Sequence, residues 1–247
     1  MINYIILGII QGITEFFPVS SSGHLVIFQK ILGLHGNEVA VAVILHLGTC
    51  LSLILFFFRD ILNMLRSIKL LFLVFIVTVI TGLIGFSGKV FFENLFASPQ
   101  IAGISFIATG VILLLTKSFM DCKRDQPSVK DAFTLGAVQG LAIVPGLSRS
   151  GLTISSLLFR KMGRDSAFRF SFLASLPAIF GATLLESREI GSIMQVDCFQ
   201  LSVGFLFSFI SGLVALWLLK IILHKAKFYY FAYYCFAIGL IALIFVK

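Results

Sequence analysis

Apolar segments long enough to cross a lipid bilayer recur along this chain and constrain its fold more than any other feature. A helical span needs about 20 residues to cross a hydrocarbon core of about 30 Å. Six segments meet or approach that length: 39–58, 70–86, 99–116, 168–185, 199–223 and 228–246. Charged residues make up only 12% of the sequence, against about 25% in soluble domains. The sequence therefore predicts an all-α polytopic membrane protein.

The net charge of +8 is explained by membrane topology. Of the 19 Lys and Arg residues, 14 lie in four short connections between apolar segments. These basic clusters are Arg59, Arg66 and Lys69; Lys117, Lys123, Arg124 and Lys130; Arg160, Lys161, Arg164 and Arg169; and Lys220, Lys225 and Lys227. Such clustering is typical of cytoplasmic loops. We therefore expect these connections inside, both termini outside, and no nucleic-acid partner.

Two apolar stretches are predicted to enter the membrane and return to the same side. Between the second and third basic clusters lie two arms, 132–144 and 151–159, separated by PGLSRSG. At about 1.5 Å per residue neither arm crosses the bilayer, so they are predicted to form a re-entrant helix pair. The arms 2–13 and 23–34 flank a similar break and are predicted to form another pair. Both breaks should face the protein interior, because irregular backbone is not tolerated against lipid.

The two breaks are related in sequence. A shift of 128 positions aligns Leu7, Gly8, Gln11, Gly12, Ser20, Ser22 and Gly23 with Leu135, Gly136, Gln139, Gly140, Ser148, Ser150 and Gly151. Three spans separate the copies, so the second is inverted relative to the first. The prediction is a single domain, 1–247, whose halves cover about 1–120 and 129–247. Each half of this inverted-topology repeat would hold one re-entrant helix pair and three transmembrane helices, with the site where the breaks meet.

The breaks carry groups that bind anions. Each leads into a short helix, predicted at about 22–34 and 151–160, whose N-terminus offers unpaired N–H groups and a partial positive charge. Hydroxyl groups gather at the same places: Ser20, Ser21, Ser22, Ser148, Ser150 and Thr153. The alternative is that these hydroxyls only cap helices and satisfy freed backbone groups.

Arg149 and Glu15 place charges beside the breaks, where a charge is costly and usually functional. A guanidinium matches phosphate oxygens in two-point contacts; the alternative is an internal ion pair with Glu15. Gln11 lies one turn before Glu15 on the same helix face. Both supply oxygen ligands suited to Mg²⁺ or Ca²⁺, so the pair is a candidate metal site. Gln139 is expected to satisfy backbone near the second break.

His24 follows Ser21 by three residues and opens the returning helix. It could attack phosphorus, shuttle a proton or activate a serine, or be a hydrogen-bonded structural residue. His46 is expected to pack or hydrogen-bond beside the site, whereas His35 and His224 are expected at the membrane interface. The tyrosines of YYFAYY are expected to face lipid or to pack at that interface.

The motif QGITEFFPVSSSGH, residues 11–24, resembles the (E/Q)xxxE and PVSSxGH signature of the undecaprenyl-pyrophosphate phosphatase family, the bacitracin-resistance membrane phosphatases. PGLSRSGLT, residues 145–153, is similar to that family's second motif, PGxSRSxxT. The resemblance implies a hydrolase of the bacterial cytoplasmic membrane that removes the terminal phosphate of a polyprenyl diphosphate. Its product would be the lipid monophosphate that carries cell-wall precursors. Dependence on a divalent cation, Mg²⁺ or Ca²⁺, and a site open to the outer face are implied with it.

The resemblance also implies roles for individual residues. Gln11 and Glu15 correspond to the acidic metal motif, Ser21 and His24 to the catalytic pair, and Arg149 to the phosphate clamp. The remaining polar positions of the second motif are matched by Ser148, Ser150 and Thr153. The chain departs from the pattern at Leu152, where a small residue is common, and at His46, where Gln is expected.

The resulting hypothesis is that a divalent cation held by Glu15 and Gln11 bridges the diphosphate. Arg149 and the helix N-termini would hold the transferred phosphoryl group as its charge spreads. Ser21 or His24 would attack phosphorus or activate water, and the sequence leaves that choice open.

The alternative function is a lipid-phosphate transporter or flippase, because inverted repeats with broken helices occur in transporters. The two halves differ in their reactive groups, however. Glu15 and His24 align with Ile143 and Leu152 under the 128-residue shift, which favours an enzyme. The expected partners are the polyprenyl diphosphate and the bilayer, and a homodimer is one assembly that the sequence allows.

Overall fold

The fold is described from a computed structural model that covers residues 1–31, 38–88, 95, 99–187 and 197–245. These residues form α-helices joined by turns, and no β-strand occurs among them. The helices are α1 Ile2–Phe16, α2 Ser21–Ile31, α3 Glu38–Phe56, α4 Phe58–Leu65, α5 Ile68–Ser87, α6 Pro99–Leu115, α7 Val129–Leu141, α8 Arg149–Phe159, α9 Arg164–Ser187, α10 Cys198–His224 and α11 Phe231–Phe245. The prediction of an all-α protein is confirmed.

Several of these helices are compatible with a polytopic membrane protein. Within the described ranges, four helical stretches are long and apolar enough to cross a membrane; they include α5, α6, α9 and α10. The bent pair of α3 and α4 would make a fifth. Within the last predicted span, 228–246, the structure describes the shorter apolar stretch Phe228–Ile244, and residue 246 lies outside the described residues.

The helix of the predicted span 39–58 ends at Phe56, two residues earlier than expected. The chain breaks at Phe57, and α4 leaves at 72° to α3. The Phe57 ring is 1% exposed and packs against Phe168 and Phe172 of α9, at centroid distances of 5.3 and 5.8 Å. The next residues include Arg59 and Asp60. The chain therefore bends where a buried aromatic cluster gives way to charged residues.

The four predicted re-entrant arms are helical in their described residues, but several of their ends differ from the predicted ones; residues 32–34 of the arm 23–34 lie outside the described residues. Helix α1 continues to Phe16, so Glu15 is helical, and α2 begins at Ser21. Helix α7 ends at Leu141 and α8 begins at Arg149. Each break contains a residue with positive φ, Ser20 at 63° and Gly146 at 86°. For a non-glycine residue such as Ser20 this conformation costs about 1 kcal/mol or more.

Glycines allow two pairs of helices to approach closely. A Cβ on Gly8 of α1 would lie 2.5 Å from the Gly204 carbonyl oxygen of α10. A Cβ on Gly140 of α7 would lie 2.7 Å from the Ile84 Cβ of α5. Small residues at membrane helix interfaces allow such contact, so α1 packs along α10 and α7 packs along α5.

A buried carboxylate joins the arms of the second helix pair. Asp131, in the first turn of α7, has a fully buried side chain that accepts hydrogen bonds from Arg124 at 2.7 and 2.9 Å and also from Arg160. Burial alone would raise the pKa of Asp131, but the hydrogen bonds from Arg124, Ser128 and Arg160 outweigh it and hold the pKa well below its usual range. The stabilisation of the fold by ionised Asp131 is present above the ordinary aspartate pKa. It is lost only as the pH falls to the lowered pKa of Asp131.

The four basic clusters lie together at one end of the bundle. Besides the link between Arg124 and Arg160 through Asp131, Arg169 pairs with Asp60 beside the first cluster. Arg164 donates to the His224 carbonyl beside the fourth cluster, at 2.8 Å. These contacts agree with the prediction that the basic connections share one side of the membrane.

We predict that Asp131→Ala lowers the free energy of unfolding by about 2–3 kcal/mol, because two partly buried arginines lose their partner. The matched control is Asp60→Ala, which removes a more exposed carboxylate and should cost less than about 1 kcal/mol. Thermal unfolding of the protein in detergent micelles measures both. Equal effects of the two substitutions would contradict this account of Asp131.

Candidate active site

Glu15 is the centre of a polar cluster at the C-terminal end of α1. Its side chain is only 4% exposed. Its Oε2 accepts hydrogen bonds from Ser21 Oγ at 2.7 Å and from Gln11 Nε2 at 3.0 Å. Gln11 and Glu15 share one helix face because they are four residues apart, and Ser21 is the first residue of α2. The structure therefore brings together the predicted pair Gln11–Glu15 and the predicted serine.

Arg149 and His46 border the same carboxylate. Arg149, the first residue of α8, lies with Nη1 3.4 Å from Glu15 Oε1, so the ion pair considered as an alternative is present. The Arg149 side chain is 34% exposed, in contrast to its buried partner. His46 Nε2 lies 3.5 Å from Glu15 Oε2, while its Nδ1 lies 2.8 Å from the Ala42 carbonyl. His46 thus belongs to the site, as a residue that contacts the carboxylate.

The hydroxyl groups of the second break mostly hydrogen-bond to backbone groups. Ser148 Oγ caps α8 by accepting from Gly151 N at 3.1 Å. Ser150 Oγ donates to the Phe17 carbonyl at 3.1 Å, and Thr153 Oγ1 donates to the Arg149 carbonyl at 2.7 Å. The capping role considered for these residues is therefore present, and the bond from Ser150 ties the second break to the first.

The hydroxyls of the first break have different partners. Ser20 Oγ and Ser22 Oγ lie 3.4 Å apart and interact with each other. Ser21 instead donates to Glu15. Of these three neighbouring serines, Ser21 has the contact with a carboxylate, which can act as a base toward its hydroxyl.

His24 makes its described hydrogen bonds away from Ser21. Its Nδ1 lies 2.7 Å from the Ser20 carbonyl oxygen, and its Nε2 lies 2.6 Å from the Tyr234 hydroxyl. The ring also meets Phe106 edge-on at 5.6 Å. Both ring nitrogens are therefore engaged by groups other than the Glu15 cluster.

Sequence reasoning missed residues that border the site. A small cavity beside Glu15 is lined by Glu15, Phe16, Arg149, Ser150, Thr153, Ser171, Phe172, Ser175 and Ile179. Ser171 and Ser175 come from α9, and Ser171 Oγ lies 2.7 Å from Thr153 Oγ1. Their signal in the sequence was two serines four residues apart, which share a helix face. Tyr234 was expected to face lipid or pack, and it contacts His24.

Gln139 has a different partner from the one expected. Its Nε2 donates to Thr81 Oγ1 at 3.1 Å, and Thr81 in turn donates to the Gly136 carbonyl at 3.2 Å. The amide therefore joins α7 to α5 through a side chain, and contact with the backbone is indirect.

The oxygens at Gln11 and Glu15 fit a divalent cation that substrate would help to bind. Gln11 is fully buried, and its Oε1 has no hydrogen-bond partner, which leaves a hard oxygen ligand available. Among the described residues no group of three or more His, Cys, Asp or Glu side chains could hold a metal. Mg²⁺ is commonly bound through one or two protein ligands together with phosphates and water, and this pair suits that mode.

The fold and the site together define a class: a polytopic helical membrane protein whose two broken helices bring a carboxylate, a serine and an arginine together. The chain belongs to the family described as bacitracin resistance protein BacA, which matches residues 4–241.

Curated relatives cover nearly the whole chain. The undecaprenyl-diphosphatase of Halothermothrix orenii is 40% identical over 97% of this chain and 96% of its own length. That of Carboxydothermus hydrogenoformans is 41% identical, over 97% and 95%. The undecaprenyl-diphosphatase of Thermotoga maritima is 36% identical, over 96% and 98%.

We predict energetic coupling between Glu15 and Arg149. Arg149→Gln leaves a buried carboxylate without its cation, so it should destabilise the protein less when Glu15→Gln is already present. The expected coupling is about 1 kcal/mol, measured by a double-mutant cycle of unfolding in micelles.

The control cycle pairs Glu15→Gln with Arg124→Gln at the basic end, where effects should add to within about 0.5 kcal/mol. Additive effects of Glu15→Gln and Arg149→Gln would contradict the ion pair.

Proposed function

We propose that this protein hydrolyses undecaprenyl diphosphate to the monophosphate and inorganic phosphate, and thereby recycles the lipid carrier of cell-wall synthesis. The observation that carries the proposal is the hydrogen bond from Ser21 to Glu15, at 2.7 Å, in a cluster that also contains Arg149. A nucleophile beside a base and a cation is the arrangement that phosphoryl transfer requires. The relatives' shared name, undecaprenyl-diphosphatase, supplies the substrate.

The geometry favours Ser21 as the nucleophile, a choice that the sequence leaves open. As Ser21 Oγ attacks the terminal phosphorus, Glu15 takes its proton. The Oγ–P bond forms while the bond from phosphorus to the bridging oxygen breaks, and the lipid monophosphate leaves. Water then attacks the phosphorus of the phosphoserine and the Oγ–P bond breaks. Glu15 returns its proton to Ser21 Oγ, and the protons of the attacking water leave with the inorganic phosphate.

The remaining groups stabilise charge. Arg149 faces the reacting phosphoryl group, and the N-termini of α2 and α8 present N–H groups and partial positive charge toward it. In this proposal Ser20, Ser22, Ser148, Ser150 and Thr153 shape the site around the phosphates.

Gln11 and Glu15 are the residues that would hold Mg²⁺ or Ca²⁺. When bound, such an ion would neutralise charge on the diphosphate. The unpartnered Oε1 of buried Gln11 supports this part of the proposal.

The proposal includes an inverted-topology repeat within a single domain. Contacts that support it occur in pairs related by the shift of 128 positions. Gly8 packs against Ser208, and its repeat mate Gly136 packs against Ile80; Ile80 and Ser208 are themselves 128 positions apart. Correspondingly, α1 packs along α10 and α7 along α5, while α6 packs along α11.

The proposed location is the bacterial cytoplasmic membrane, with the basic end of the bundle inside and both chain termini outside. The convergence of the four basic clusters supports this orientation. The transporter alternative is not favoured, because Glu15, Ser21 and His24 all belong to the first half of the chain. The homodimer stays a prediction.

We predict that the purified protein releases phosphate from undecaprenyl diphosphate, and that Ser21→Ala, Glu15→Gln and Arg149→Ala each lower kcat by about 100-fold or more. The matched control is Ser202→Ala, since Ser202 is exposed on α10 and bonds to the Cys198 carbonyl. Its activity should match the wild type.

Near-wild-type activity of Ser21→Ala would overturn the assigned nucleophile. Chelation should abolish activity and added Mg²⁺ or Ca²⁺ should restore it; activity unchanged by chelation would remove the metal from the proposal. Transport of the lipid without phosphate release would replace the enzyme with the transporter.

The native cysteines allow the proposed orientation of the protein in the membrane to be tested. Cys198 is exposed at the start of α10, and Cys122 is partly exposed in the second basic cluster, whereas Cys50 and Cys235 are buried. A membrane-impermeant maleimide added to spheroplasts should label Cys198, and it should label Cys122 only after permeabilisation. The variants Cys198→Ser and Cys122→Ser identify each signal, and the reverse pattern would place the termini inside.

A further inference from the structure

His24 is held by hydrogen bonds at both ring nitrogens. Its Nδ1 lies 2.7 Å from the Ser20 carbonyl oxygen, which can only accept, so Nδ1 carries a proton. In the neutral ring Nε2 is then an acceptor. The Tyr234 hydroxyl, 2.6 Å away, donates to it. Tyr234 and Ser20 together therefore select one tautomer of His24.

The imidazole is also fixed by its neighbours. The Tyr234 ring lies nearly parallel to it, at 11° and 5.8 Å between centroids. Phe106 meets it edge-on, at 85° and 5.6 Å. His24 is only 4% exposed. A ring packed on two sides and bonded at both nitrogens has little freedom to turn toward a substrate.

The hydrogen bond from His24 reaches the residue before the proposed nucleophile. Ser20 has φ of 63°, a left-handed conformation that is unfavourable for a residue with a side chain. Such a conformation persists when surrounding contacts hold it. The bond from His24 Nδ1 to the Ser20 carbonyl is such a contact, and the next residue, Ser21, begins α2.

Comparison of the two halves singles out this hydrogen bond. Phe106 and Tyr234 are 128 positions apart, as are His24 and Leu152. Tyr234 and His24, the polar members of the two pairs, are hydrogen-bonded to each other. Packing at these positions therefore does not need a hydroxyl or an imidazole, since the other half provides Phe106 and Leu152.

We infer that Tyr234 is a positioning residue for the reaction. Its hydroxyl fixes the tautomer and orientation of His24, and His24 in turn holds Ser20 in the left-handed conformation that places Ser21 beside Glu15. The inference rests on the proposed function for its kinetic consequence. It assigns to His24 a role through the backbone, in place of direct attack on phosphorus.

The test is Tyr234→Phe, which retains the ring and removes the hydroxyl. We expect kcat for phosphate release from undecaprenyl diphosphate to fall about tenfold, the effect of losing one neutral hydrogen bond in the transition state, while KM stays unchanged. The matched control is Tyr233→Phe, because the neighbouring Tyr233 is 57% exposed; its kcat should equal that of the wild type. A kcat of Tyr234→Phe equal to the wild type, or a rise in KM alone, would overturn the inference.

A second measurement does not depend on activity. In protein labelled with ¹⁵N-histidine, the His24 resonances, identified by their loss in His24→Gln, should report Nδ1–H and a hydrogen-bonded Nε2. They should change in Tyr234→Phe and stay the same in Tyr233→Phe. A proton on Nε2 of neutral His24 in the wild type would overturn the inference. A wild-type protein that gives the expected His24 resonances but releases no phosphate would instead reject the proposed function.

Discussion

The site depends on one constraint: backbone groups released at the two breaks need hydrogen-bond partners from within the protein, because lipid offers none. At the second break, Thr109 of α6 donates to the Gly146 carbonyl at 3.3 Å and accepts from Ser148 N at 3.2 Å. At the first, the Cys235 thiol of α11 lies 3.4 Å from the Pro18 carbonyl. A helix outside each of these helix pairs thus provides hydrogen-bond partners for the backbone at its break, and this allows irregular backbone to persist inside an apolar bundle.

The same requirement brings the two breaks into contact and creates the site. Ser150 satisfies the Phe17 carbonyl across the contact, and this bond places the start of α8 beside the end of α1. Arg149 then lies next to Glu15. Neither half contains the whole constellation, since the first supplies the carboxylate and Ser21 and the second supplies the guanidinium. The proposed site therefore forms where the two helix pairs pack together, and neither pair alone contains all of its residues.

The sequence was informative where polar residues interrupt long apolar runs. The breaks, Glu15 and Arg149 could be predicted because charged groups are rare inside a membrane and need a reason. Helix ends were less predictable: α1 continues to Phe16, beyond the predicted arm 2–13. Tyr234 could not be found, because a tyrosine among aromatics is ordinary at a membrane interface. Its role depends on α11 reaching His24, which is a matter of tertiary packing.

The hydrogen-bond partners of the hydroxyls separate scaffold from chemistry. Ser150 and Thr153 donate their single O–H to backbone carbonyls, so neither can also donate to a phosphate oxygen without breaking that bond. In the proposed mechanism, the strong donors to the phosphate are therefore Arg149 and the helix N-termini. Ser21 differs because its O–H points at a carboxylate. In the proposed mechanism, transfer of that proton creates the nucleophile while Arg149 balances the charge. The six hydroxyl residues thus differ in their partners: Ser148, Ser150 and Thr153 bond to backbone groups, Ser20 and Ser22 bond to each other, and Ser21 bonds to Glu15.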